Sequence, residues 1–204
     1  MTTISISIQS PPPLVRMLCV AMAPAMAIIM GIDLRIRGAE EILTHGMADE
    51  VAHLLTALIV LSAVRSLGFR VNWFAVAVGA TAIDIEYLLI RSGVLERVVE
   101  DNYRGVTHTL FPALGIILLG LVLPPLRVFL VSLGLAMLTH VVRDSATSES
   151  PLLWPLSDQI FHLRYSAYLA ILAAFTIVTT GVVALSSDKT DRMHGSEAAP
   201  TWQG

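Results

Sequence analysis

The chain has 204 residues, of which 55% are hydrophobic and 14% charged, and its formal net charge is −3. A mean hydropathy of +0.73 is well above that of soluble domains, so the composition indicates an integral membrane protein surrounded by the lipid bilayer. The charged residues form no basic cluster, which gives no support for a nucleic-acid partner. The single cysteine, Cys19, excludes an intramolecular disulfide and a cysteine-based metal site.

Six apolar runs are long enough, or nearly so, to cross the hydrocarbon layer as helices. In chain order they cover about residues 14–32, 51–67, 73–90, 106–123, 126–142 and 165–185. The first run follows three consecutive prolines and is too long for the apolar region of a signal peptide, so we expect a retained span. The predicted fold is therefore all-α, a single bundle of about six transmembrane helices over 1–185. The polar residues 186–204 have the composition of a disordered tail.

Ionisable residues collect at one side of this predicted bundle. If the spans cross in alternation, the connections after the first, third and fifth spans lie on the same side of the membrane. The spans carry these residues there: His45, Asp49, Glu50 and His53 on the second, Asp84 and Glu86 on the third, Arg104 and His108 on the fourth, and His140, Arg143 and Asp144 on the fifth. A charged side chain inside the layer costs roughly 2.5–3.5 kcal/mol, so we expect these residues to compensate one another or to bind an ion.

The fifth span ends with the most informative pair. His140 and Asp144 are four residues apart and therefore lie on one face of a helix, one turn from each other. An imidazole nitrogen and a carboxylate oxygen at this spacing commonly hold a divalent ion. The pair predicts a metal site at the end of the helix.

The other residues also have plainer interpretations. His53 could be a histidine hydrogen-bonded to Asp49 one turn earlier, which by itself is as good a reading as a metal ligand. Asp84 and Glu86 are two residues apart and point about 200° from each other on a regular helix, so one of them could face solvent or pair with Arg91. The remaining histidines are interpreted as surface residues: His45, His162 and His194.

Two segments resemble a known family. RGVTHTL at 104–110 and LTHVVRDSATSESPLLWP at 138–155 are similar to the membrane-bound metal-dependent hydrolase family, the YdjM-like or YbcI-like group. The resemblance spans about 49–155 and also includes His53 at the opening of a span and the acidic pair Asp84 and Glu86. The chain departs from the family pattern at Tyr87 and Tyr103, which stand where the family has histidine.

A set of metal ligands follows from these residues and the resemblance together: His53, Asp84, Glu86, His108, His140 and Asp144. Half of the set is carboxylate, which slightly favours Mg²⁺ or Mn²⁺ over Zn²⁺, with one or two ions bound. The resemblance implies hydrolysis of an ester or phosphoester by metal-activated water, and we expect a carboxylate among Asp84, Glu86 and Asp144 to accept the proton. Arg104 and Arg143 would bind an anionic group of the substrate.

A site at the edge of the membrane suits an amphiphilic anionic substrate. We therefore expect a metal-dependent hydrolase of a bacterial cytoplasmic membrane that acts on a lipid-like phosphoester, such as a phospholipid or a prenyl phosphate or diphosphate. The same residues could instead hold a prenyl diphosphate while its allylic carbon ionises, as in a lyase or cyclase. A transporter or a non-enzymatic membrane subunit is a further alternative, although the sequence has no inverted repeat and its polar residues cluster at one face.

Overall fold

The computed structural model describes residues 13–36, 42–85, 106–148, 150–157 and 159–197, with side chains over 20–35, 46–85, 106–148, 150–157 and 159–185. Within these ranges the chain is helical and has no β-strand, so the predicted all-α bundle is confirmed. The α-helices are α1 (Pro13–Ile36), α2 (Ile42–Ser66), α3 (Trp73–Thr81), α4 (Leu110–Val122), α5 (Arg127–Thr147) and α6 (Tyr165–Glu197). Short 3₁₀ turns at Ala82–Asp84, Val106–His108 and Pro124–Leu126 adjoin α3, α4 and α5.

Among the described residues, three helical segments are long and apolar enough to cross a membrane: Gly46–Ser66, Pro124–Thr147 and Tyr165–Leu185. Two shorter apolar helical segments, Trp73–Asp84 and Leu110–Val122, lie among them. Large apolar side chains such as Leu118 and Ile177 are exposed on the outside of the bundle. This is the arrangement expected when the surrounding medium is the hydrocarbon of a bilayer.

The helix boundaries differ from the predicted runs at three places. α2 begins at Ile42, so Asp49, Glu50 and His53 lie inside the helix and not at its start. α3 ends at Thr81 and tightens into a 3₁₀ turn, while 86–90 lie outside the described residues. α6 continues beyond the sixth predicted run, through 186–197, and ends at Glu197. Polarity keeps a segment out of the hydrocarbon but does not stop a helix, and the first proline after the start of α6 is Pro200.

Helix α5 is the centre of the bundle and contacts α2, α3, α4 and α6. Glycines allow its closest neighbours to approach. A Cβ atom on Gly79 of α3 would clash with the carbonyl of Leu133, and one on Gly134 of α5 would lie 2.7 Å from the carbonyl oxygen of Ala113. Small residues at such contacts let helix backbones pack tightly in a membrane. These contacts hold α3 and α4 against the first half of α5.

Candidate metal centre

Five of the six predicted ligands lie in the described part of the chain, and the structure brings them together. His53 comes from α2, Asp84 from the turn after α3, His108 from the turn before α4, and His140 and Asp144 from α5. The three histidines and Asp144 are buried, and Asp84 is partly buried. Elements distant in the sequence therefore place three imidazoles and two carboxylates at one end of the bundle.

His140 is oriented by the backbone of α3. Its Nδ1 lies 2.7 Å from the carbonyl oxygen of Ala80 and must be the protonated nitrogen, because a carbonyl can only accept a hydrogen bond. In the neutral ring Nε2 then carries a lone pair. This nitrogen is buried without a hydrogen-bond partner in the described structure, and it lies 3.4 Å from Oδ2 of Asp144. An imidazole fixed in this way is prepared to bind a cation.

His53 is stacked on His140, with the ring centroids 3.7 Å apart and the planes inclined by 10°. Its Nε2 is 3.3 Å from Oδ1 of Asp144 and 3.6 Å from Oδ2 of Asp49. Neither of its ring nitrogens has a hydrogen-bond partner among the described residues. The plainer interpretation, a hydrogen bond to Asp49, does not hold at this distance. Asp144 is the nearer carboxylate.

His108 and Asp84 complete the cluster from the opposite side. Nε2 of His108 is 2.9 Å from Oδ1 of Asp84 and 3.5 Å from Oδ2 of Asp144. The same Asp84 oxygen is 3.6 Å from Nε2 of His140. The chain after α5 secures this region, since Ser150 donates a hydrogen bond to the carbonyl of His108 at 3.3 Å.

These atoms fit a divalent cation. Two groups of three have their potential ligand atoms within 4.8 Å of one another: His53, His140 and Asp144, and Asp84, His108 and His140. Neighbouring ligands of a tetrahedral ion are about 3.4 Å apart when each is about 2.1 Å from the metal. Most of the nitrogen–oxygen distances in the cluster are between 3.3 and 3.6 Å. Where the imidazole nitrogen carries a lone pair, as Nε2 of His140 does, it repels a carboxylate oxygen at such a separation unless a cation or a proton lies between them.

Glu50 is a residue that the sequence does not single out as a ligand. It lies on α2 three residues before His53, and its carboxyl group is within hydrogen-bonding reach of Asp84. Its Oε2 is buried and has no hydrogen-bond partner in the described ranges. The spacing to His53 places both residues on one helix face and was the available signal. A third carboxyl group therefore borders the cluster.

Arg143 lies in a second polar cluster, which we call the Arg143 network (Asp33, Asp49, Arg143 and Tyr165). The guanidinium is fully buried and binds both oxygens of Asp33, at 2.6 and 3.2 Å. It also donates to Oδ1 of Asp49 at 2.7 Å, and the Tyr165 hydroxyl donates to Asp33 at 2.6 Å. The network joins α1, α2, α5 and α6. Asp33 was not recognised from the sequence, where it is a single acid at the end of the first span.

Several residues that the sequence analysis names are not among the described residues. Glu86 and Arg104, together with Tyr87 and Tyr103, lie outside the described residues, as do the side chains of His45 and His194. His162 is exposed, in agreement with its interpretation as a surface residue.

The model of the family described as YdjM inner membrane protein matches residues 47–200. All five located ligands fall within the match, whereas Asp33 precedes it. No curated protein and no solved structure matches the chain significantly.

Proposed function

The chain belongs to the YdjM inner membrane protein family, and from that premise we propose that it is a metal-dependent hydrolase of a lipid-like phosphoester. Membership in this family means that the chain is an integral protein of the inner membrane. The enzymatic part of the proposal is carried by one observation, the convergence of His53, His140 and Asp144 with Asp84 and His108 at one end of the bundle. Ionisable groups buried in a membrane protein are costly and usually functional.

The proposed ligands are the five converged residues, with Glu86 as a sixth. Imidazole ligands suit Zn²⁺ and carboxylate ligands suit Mg²⁺ and Mn²⁺, so the carboxylates of Asp84, Glu86 and Asp144, with Glu50 beside them, favour the harder ions. When bound, such an ion lowers the pKa of its water and offsets the negative charge of a phosphoryl group. Asp84, Glu86 and Asp144 are the proposed catalytic carboxylates, which would accept a proton at the site.

The phosphate contact is assigned to Arg104 first. A guanidinium recognises phosphate through two parallel hydrogen bonds. In Arg143 both terminal nitrogens already bind Asp33 and Asp49, and the side chain is fully buried, so a positioning role suits it better. Arg104 begins the segment 104–110 that contains His108, and it is the remaining candidate of the two arginines.

The surroundings of the site suit an amphiphile. Leu153, Leu156 and Phe161 are exposed in the connection between α5 and α6. This connection reaches the site, because Phe161 pairs with Ser150, which bonds the carbonyl of His108. Apolar side chains at a membrane edge can lie against an acyl or prenyl chain. A substrate with its tail in the bilayer would present its phosphate at the depth where the spans end.

A phosphate-release assay tests the proposal. Purified protein in detergent is supplied with Mn²⁺, Mg²⁺ or Zn²⁺ and with phosphatidic acid, a phospholipid, and prenyl phosphates and diphosphates. We expect metal-dependent release of phosphate, or of a phosphorylated head group from the phospholipid, abolished in Asp144→Ala and retained in Thr56→Val, whose buried hydroxyl bonds Tyr168 outside the cluster. Arg104→Ala should raise KM more than it lowers metal content. Release that persists in Asp144→Ala, or no release from any of these substrates by metal-loaded protein, would reject the hydrolase.

A prenyl-diphosphate lyase or cyclase is the second candidate, favoured by the carboxylate-rich cluster that Glu50 extends. Carboxylates that hold divalent ions can bind a diphosphate leaving group while the allylic carbon ionises. Product analysis separates the two enzymes. A hydrolase releases phosphate and leaves an intact alcohol, whereas a lyase releases diphosphate and a rearranged or cyclised hydrocarbon.

A further inference from the structure

We infer that the centre holds two divalent ions bridged by Asp144, and not one. The inference rests on the proposed function for the presence of metal, and it adds the number of ions and the division of the ligands between them. Four observations lead to it: the two faces of Asp144, the stacked imidazoles, the position of Glu50 and the balance of charge.

The two oxygens of Asp144 face different imidazoles. Oδ1 lies 3.3 Å from Nε2 of His53. Oδ2 lies 3.4 Å from Nε2 of His140 and 3.5 Å from Nε2 of His108. A carboxylate that binds a single ion does not need separate partners for its two oxygens. One that bridges two ions does.

The stacking of His53 on His140 provides the spacing. An imidazole Nε2 has one lone pair and binds one ion, so His140 cannot serve both ligand groups to which it belongs. Its Nε2 faces the same Asp144 oxygen, Oδ2, as Nε2 of His108 does, and both nitrogens lie near Oδ1 of Asp84, so we assign it to the group with His108. His53 then belongs to a second ion. The rings are nearly parallel with centroids 3.7 Å apart, which matches the roughly 3.5–4 Å that separates the ions of two-metal sites.

Glu50 is placed to serve the His53 ion. It interacts electrostatically with both His53 and Asp84, and its buried Oε2 has no hydrogen-bond partner in the part of the chain that the structure describes. A buried carboxylate oxygen without a donor is costly unless a cation binds it. His53, Glu50 and Oδ1 of Asp144 would then be the protein ligands of the second ion, which leaves room for water or substrate.

The balance of charge also favours two ions. Among the described residues, the two clusters contain five carboxyl groups (Asp33, Asp49, Glu50, Asp84 and Asp144) and the guanidinium of Arg143. With every carboxyl ionised these groups carry four negative charges in excess. Two divalent cations neutralise that charge, whereas with one ion some of the carboxyl groups must instead take up protons.

The test is a count of bound ions with a spectroscopic readout. Detergent-purified protein is titrated with Mn²⁺, bound metal is measured by mass spectrometry, and electron paramagnetic resonance detects magnetic coupling between ions that share a carboxylate. We expect two Mn²⁺ per chain and a coupled signal. His53→Ala should bind one Mn²⁺ and give an uncoupled signal, and Thr56→Val should match the wild type.

Glu50→Gln provides a variant of nearly unchanged shape in case His53→Ala does not fold. It should weaken the second ion at least tenfold and leave the first unchanged. Saturation of the wild type at one uncoupled Mn²⁺ would overturn the two-ion inference and leave the proposed hydrolase standing. Absence of Mn²⁺, Mg²⁺ and Zn²⁺ binding during titration would reject the metal centre itself.

Discussion

The candidate metal centre and the Arg143 network are neighbouring clusters of ionisable residues that differ in how their polar atoms are paired. In the network, the Arg143 nitrogens and the Tyr165 hydroxyl donate to carboxylate oxygens at 2.6 to 3.2 Å. In the metal centre, Nε2 of His140 faces carboxylates at 3.4 and 3.6 Å with no hydrogen-bond partner in the described structure. In the first cluster, short hydrogen bonds link the carboxylates to donors. In the second, ring nitrogens of His53 and His140 that have no hydrogen-bond partner among the described residues lie where they could hold a cation.

Asp49 belongs to both clusters. Its Oδ1 accepts a hydrogen bond from Arg143, and its Oδ2 lies 3.6 Å from Nε2 of His53. The comparison therefore separates two roles for buried charge. Charges paired by short hydrogen bonds hold helices together, and ring nitrogens without such bonds can bind a ligand. Substitutions in the first cluster should change stability, and those in the second should change metal binding.

The largest expected effect is from Arg143→Met. Removing the guanidinium leaves the buried Asp33 and the half-buried Asp49 without their counterion, and breaking a buried pair such as that with Asp33 costs about 3–5 kcal/mol. Thermal unfolding in detergent should show the loss, and added Mn²⁺ should not restore it. A variant as stable as the wild type would contradict the structural role of the network.

Asp144→Ala should have the second-largest effect, and only when metal is present. At a Mn²⁺ concentration one hundred times the Kd, binding stabilises a protein by about 2.7 kcal/mol. The wild type should show this gain in thermal unfolding and the variant should not, while the two metal-free proteins unfold at similar temperatures. A full gain in the variant would show that the stabilising ion binds elsewhere.

A smaller effect is expected from Thr56→Val. The Thr56 and Tyr168 hydroxyls form a buried hydrogen bond of 2.6 Å between α2 and α6. Its loss should reduce the free energy of unfolding by about 1 kcal/mol and leave the number of bound ions unchanged. Reduced metal content in this variant would mean that the hydrogen bond between Thr56 and Tyr168 also supports the metal site.

The smallest effect should come from Trp154→Phe. Trp154 lies in the connection between α5 and α6, where an indole can anchor the chain at the membrane interface. Phenylalanine keeps the aromatic ring, so we expect a change in unfolding free energy below about 0.5 kcal/mol and unchanged turnover. A large loss of phosphate release would instead place Trp154 in contact with the substrate.

Much of this architecture follows from local features of the sequence. Apolar runs predict the helices, the four-residue spacing predicts the His140 and Asp144 pair, and alternate crossing predicts which helix ends meet. Asp33 could not be assigned in this way, because its partner Arg143 is 110 residues away. Glu50 was equally difficult, since its importance depends on Asp84 at the end of another helix. Pairings between helices depend on packing, which spacing along one helix does not specify.

The hydrogen bond from His140 to Ala80 has a consequence for how this protein tolerates mutation. The acceptor is a backbone carbonyl, so no side-chain replacement at position 80 can remove it while the helix keeps its path. Substitutions of Ala80 should therefore leave the tautomer of His140 unchanged. The sensitive position is instead Gly79, where a methyl group would collide with the Leu133 carbonyl and displace α3. A residue without any reactive group can in this way control the chemistry of the histidine.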